Sequence, residues 1–125
     1  VIIIGDNYID YENISVINSI EDIKSTKPNT TVVFDFDKDM MKYCMENDIN
    51  YAVKIVSVKE SIYANNLNAR YILPNNELLD IVQKIAENYM FDSKILATIQ
   101  NEESIEDIAI QSIDGAIFKR LINNN

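Results

Sequence analysis

Seven short runs rich in β-branched and aromatic residues alternate with helix-like segments along nearly the whole chain. This alternation constrains the fold more than any other feature. The runs fall at residues 1–4, 14–17, 31–34, 51–56, 70–73, 94–99 and 116–118, and their composition predicts strands. Helices are predicted between them at about 20–25, 38–48, 58–67, 76–90 and 102–112. Strands that alternate with helices build parallel βαβ units, with helices covering the sheet.

The helix boundaries support this reading. Ser57-Val58-Lys59-Glu60 has the form of a capping box, and Ser19, Asp37 and Asn101 are placed to cap helix starts. Ile49-Asn50, Leu67-Asn68, Phe91-Asp92 and Ile113-Asp114 repeat one junction, an apolar residue before Asn or Asp with a strand following. Asn and Asp tolerate the left-handed backbone that ends a helix. The first connection departs from the pattern. Residues 6–13 contain no helix, and a parallel crossover needs about a dozen residues or more. Strand one is therefore expected either antiparallel to strand two or away from it.

These features predict an α/β fold, an open three-layer α/β/α sandwich of flavodoxin or Rossmann type. Its sheet would be mostly parallel, with about six to seven strands. No Pro-, Gly- or Ser-rich linker divides residues 1–125, so one domain is expected. A closed eight-unit barrel needs roughly 200 residues or more, and this chain has 125. The apolar content of 47% is ample for a core. Asn123, Asn124 and Asn125 form a tail expected to fray.

Charge and residue usage exclude several functions. The net charge is −9 and the eleven basic residues are scattered, which argues against nucleic acid and anionic membranes as partners. No apolar run approaches a membrane span. Cys44 stands alone, so no internal disulfide forms and a cytoplasmic location is expected. Histidine is absent, which removes His-dependent nucleophilic catalysis and His-ligated zinc. Two glycines are too few for a Gly-rich phosphate loop.

The segment Val32-Val33-Phe34-Asp35-Phe36-Asp37 is the most suggestive for chemistry. Ligands in open α/β sheets bind beyond the carboxyl ends of the strands, where Asp35 and Asp37 are expected. An apolar strand ending in Asp-x-Asp resembles the first motif of the haloacid-dehalogenase phosphatases. That resemblance implies a Mg²⁺-dependent phosphohydrolase with Asp35 as nucleophile and Asp37 as acid/base, and Ser57 standing for the family's second motif. Asp39 departs from the family's Thr or Val. Asp6, Asp35 and Asp37 together form the alternative metal set. The simpler expectation is that Asp37 and Ser57 are helix caps, Asp35 is a solvated strand end, and no metal or cofactor is bound.

Three other features have both a structural and a functional reading. Lys54 interrupts an apolar strand and is expected to snorkel or to mark an edge, because helices would cover both faces of an open sheet. Cys44, on a stripe with Met41 and Ile49, is expected to be inert core. The predicted helix 76–90 has a core stripe of Leu78, Ile81, Val82, Ile85 and Tyr89. Leu79, Ala86 and Met90 widen it into a surface for self-association or a protein partner. The expected function is a small acidic binding or regulatory domain rather than an enzyme. It would act by protein contact or by holding a small ligand at the strand ends.

Overall fold

The computed structural model describes residues 1–123; Asn124 and Asn125, the end of the Asn tail, lie outside the described residues. The strands are β1 (Ile2–Ile4), β2 (Ile14–Val16), β3 (Thr31–Asp35), β4 (Tyr51–Ile55), β5 (Tyr71–Pro74), β6 (Lys94–Ile99) and β7 (Gly115–Phe118). The helices are α1 (Ile20–Lys24), α2 (Lys38–Glu46), α3 (Val58–Asn66), α4 (Leu79–Asn88) and α5 (Ser104–Ile110). All seven strands are parallel and form one curled sheet in the order β1-β7-β6-β5-β4-β3-β2. The fold is α/β and consistent with the Rossmann/flavodoxin-like class, with all five helices packed on one face of the sheet.

From β2 to β7 each strand lies beside its sequence neighbour. Successive crossovers therefore advance in one direction, and right-handed crossovers that do so place their helices on the same face. Core packing follows this rule. Ile23 of α1, Met41 and Cys44 of α2, Ala64 of α3, Val82 of α4 and Ile108 of α5 all join one hydrophobic cluster with strand residues such as Val32, Val53 and Ile95. The opposite, inner face has its own cluster of Ile4, Val33, Ala52, Tyr71, Leu73, Leu96, Ile117 and Ile122. Among the described residues no helix covers that face. Its third layer is the 3-10 turn Lys119–Leu121 with Ile122, which follows β7 and reaches across to β2.

β1 is not beside β2. It pairs in parallel with β7, with Ile2 opposite Gly115 and Ile4 opposite Ile117. Residues 6–13 thus link the two edge strands of the curled sheet. Gly115 lets β1 approach: a Cβ there would collide with the backbone and side chain of Ile2 and with Leu96.

Four of the five helix-to-strand junctions are built alike. Asp48, Asn68, Met90 and Ser112 have φ of 53°, 64°, 50° and 61°. The next residue in each case donates its N–H five positions back, as in Ile49 to Cys44, Ala69 to Ala64, Phe91 to Ala86 and Ile113 to Ile108. This is the Schellman arrangement, with an apolar residue folding back over the helix end. Asn68 is left-handed as expected. Elsewhere the left-handed residue comes two positions before the expected Asn50, Asp92 and Asp114, because the reversal must precede the apolar plug. Asn101 caps nothing as a side chain, since α5 starts later, at Ser104.

The buried stripe of α4 also differs from the expected one. Leu79, Val82, Gln83 and Ala86 face the core, while Ile81 and Tyr89 are exposed. A 3-10 turn at Asn76–Leu78 precedes the helix and changes its phase. Gln83 is buried as a polar member of the stripe, and its Oε1 accepts the Asp114 N–H at 2.9 Å.

Candidate functional site

Side chains alternate between the faces of a strand, so Val33 and Asp35, Ala52 and Lys54, Tyr71 and Leu73, and Leu96 and Thr98 project inward. Toward the carboxyl ends this row becomes polar. Asp35 of β3 is the register partner of Lys54 on β4, which in turn pairs with Leu73 on β5. Here a cavity of about 510 Å³ opens, bounded by Asp35, Lys54, Leu73, Pro74, Thr98 and Ile122. It lies where parallel sheets characteristically hold ligands.

Lys54 is half-buried, and its Nζ donates to the Ile122 carbonyl oxygen at 2.9 Å. The ion pairs among the described residues are Lys24–Glu21 and Arg70–Glu12, so none of these carboxylates lies within 4.0 Å of this ammonium. Glu60 borders the same cavity, but its Oε1 is engaged by the Val56 N–H at 3.0 Å. Apolar surface from Phe36, Leu73 and Pro74 completes the walls. A larger depression of about 560 Å³ runs beside β2 and α1. It is a groove at the sheet's open edge and holds no comparable half-buried cation.

The opposite, amino-terminal end of the inner face is closed by a polar network. Glu12 Oε1 accepts from the Tyr71 hydroxyl at 2.9 Å, and Oε2 accepts from Thr31 Oγ1 at 2.7 Å. Arg70 Nε lies 2.9 Å from Glu12 Oε2 and donates to the Tyr71 hydroxyl at 3.1 Å. Burial, more than any neighbour, raises the Tyr71 hydroxyl above its ordinary pKa. With its oxygens occupied by donors from β3 and β5, Glu12 is a structural plug.

No protein-family model matches the chain, and neither does any characterised protein.

The sequence-predicted residues are only partly brought together. Asp35 borders the cavity beside Lys54. Asp37 caps α2 through a bond to the Met40 N–H at 3.0 Å, and Ser57 caps α3 by accepting from the Glu60 N–H at 3.2 Å. Asp6 borders a different cavity, with Arg120 and Glu102, and its Oδ1 accepts the Tyr8 N–H at 2.8 Å. Among the described residues no three His, Cys, Asp or Glu side chains gather as a metal-ligand group. Of the three residues of the expected contact surface, Leu79 and Ala86 are buried in the helix-side core and Met90 is exposed. Cys44 is fully buried, and burial pushes its thiol up to about 11. Among the described residues, no helix is long and apolar enough to cross a membrane.

Lys54 is where the structure corrects expectation. β4 is an interior strand between β3 and β5, so Lys54 does not mark an edge. Its side chain lies over a face without helices, inside a cavity. The sequence signal was present as a cation in an apolar strand; which face lacked helices was not.

Proposed function

We propose that this domain binds a small organic acid in the cavity beyond the carboxyl ends of β3, β4, β5 and β6. The observation that carries this reading is the half-buried Lys54 ammonium, which faces the cavity bonded to a backbone carbonyl. A ligand carboxylate would accept from Nζ in place of the Ile122 oxygen, and a charged acceptor makes the stronger hydrogen bond. Asp35, beside Lys54, would accept from a hydroxyl or amino group on the same ligand. Leu73, Phe36 and Pro74 would cover a short apolar body. The cavity volume suits a metabolite-sized molecule.

The test is thermal unfolding and calorimetric titration with lactate and pyruvate at millimolar concentration. Ligand at about 100 times its dissociation constant adds about 2.7 kcal/mol of stability, which raises the melting point by several degrees. The rise should vanish in Lys54→Met. An unchanged melting point and no titration heat with either acid would sink the reading.

A further inference from the structure

We propose that Lys54 also captures carbonyl-bearing members of this ligand class, 2-oxo acids and small aldehydes, by forming an imine. This rests on the binding reading above and adds covalent chemistry to it.

Four observations carry it. First, the amine is held in place. Lys54 is on an interior strand rather than a loop, and its Nζ is fixed by the Ile122 carbonyl at 2.9 Å. Second, that partner is neutral, and Lys54 belongs to neither ion pair among the described residues. The amine is therefore not locked to a carboxylate. Third, Lys54 is the cation bordering this cavity, while Lys24, Lys42 and Lys59 are exposed. Fourth, a carboxylate borders the same cavity: Asp35 is the strand-register partner of Lys54, unpaired with its ammonium and open to solvent, so protons pass between them through water.

The reaction needs no oxidant and no further reactant. The Lys54 ammonium first gives a proton through water to Asp35, and the freed Nζ lone pair attacks the carbonyl carbon, forming a C–N bond as the C=O π pair moves to oxygen. A proton passes through water from nitrogen to that oxygen, leaving a neutral carbinolamine. Asp35 returns its proton to the hydroxyl, the C–O bond breaks, and water leaves as the nitrogen lone pair closes C=N. Loss of the last nitrogen proton gives the imine, which water hydrolyses by the reverse path. A rigidly held amine beside a bound carbonyl gains the proximity advantage that a solvent-exposed lysine lacks.

The experiment incubates the whole protein with pyruvate and cyanoborohydride, which reduces an imine to a stable secondary amine, and then maps modified lysines by peptide mass spectrometry. Lys54 should be modified roughly tenfold or more over Lys24, Lys42 and Lys59, and excess lactate should suppress that modification. Because selectivity is read within the unaltered chain, it survives a Lys54→Arg variant that folds poorly. Labelling at Lys54 no greater than at the exposed lysines overturns the proposal. If that occurs while lactate and pyruvate still raise the melting point, imine formation alone fails. If neither acid binds, the binding reading fails with it.

Discussion

Lys54 Nζ donates to the carbonyl oxygen of Ile122, joining the carboxyl-terminal end of the interior strand β4 to the turn that follows β7. The bond crosses the inner face and holds the segment after β7 over it, where Leu121 and Ile122 join the hydrophobic cluster that contains Val33 and Leu73. One amine thus helps hold the third layer in place and borders the ligand cavity.

Lys54→Met should keep the fold and weaken that layer. Removing the donor leaves a buried carbonyl unpaired, at about 1–2 kcal/mol. The check is chemical denaturation with hydrogen exchange, where the Ile122 amide should lose protection more than amides in α2.

Glu12→Gln should cost far more than Glu21→Gln. The first removes a charge from a partly buried cluster with Tyr71, Thr31 and Arg70, at about 1–3 kcal/mol. The second removes one partner of an exposed pair with Lys24, worth little in water. Urea midpoints for the two variants test this directly, and equal midpoints would contradict it.

Met90→Gly and Ser112→Gly should each stabilise the protein. Both residues are in the left-handed region, which costs an L-residue about 1–2 kcal/mol. Glycine removes that cost while adding unfolded-state entropy, for a net gain of about 0.5–1 kcal/mol. Asn68→Gly should gain less, because Asn already tolerates this conformation. Melting points of the three variants rank the effect.

Stability should fall as the pH rises from about 9 toward 11. The Cys44 thiol moves from 9.0 to about 11 on burial, and burial raises the Tyr51 hydroxyl as well. Each group keeps its proton in the folded chain at a pH where the unfolded chain has lost it. Folding then binds protons, so the contribution is complete below the unfolded pKa and disappears as pH climbs through the folded one. A denaturation series across this range checks the sign, and Cys44→Ala should flatten the slope.

The element order was legible because each strand run is rich in β-branched or aromatic residues and the first three helices start with a polar cap. Ser19, Asp37 and Ser57 cap as their residue types predict. Lys94–Ile99 matches its predicted run end to end. The left-handed residues were harder to place, since Met90 and Ser112 have no local preference for that conformation and adopt it because Phe91 and Ile113 are drawn onto the core. Which faces carried helices was not legible either. Hydrophobic pattern shows that a strand is buried on both sides, but not whether a helix or a returning turn does the burying. That gap made Lys54 read as incidental, while Glu12, in a polar loop, gave no sign that its partners would be Thr31 and Tyr71.

Gly115→Ala should loosen β1 selectively. The added methyl meets Ile2 and Leu96, and overpacking of this kind costs about 1–3 kcal/mol. Amide protection should drop in Ile2, Ile3 and Ile4 while β3 and β4 keep theirs. Uniform loss across the sheet would show that β1 is not a separable edge.

The pairing of β1 with β7 also gives the fold an order of assembly. β2 through β7 can add one after another, each finding its neighbour within a few dozen residues. β1 is synthesised before all of them, yet its partner is the strand Gly115–Phe118. In a chain growing from its amino end, Ile2, Ile3 and Ile4 remain an unpaired apolar edge until β7 has emerged. Among the seven strands, the first to be made is then the last to find its place.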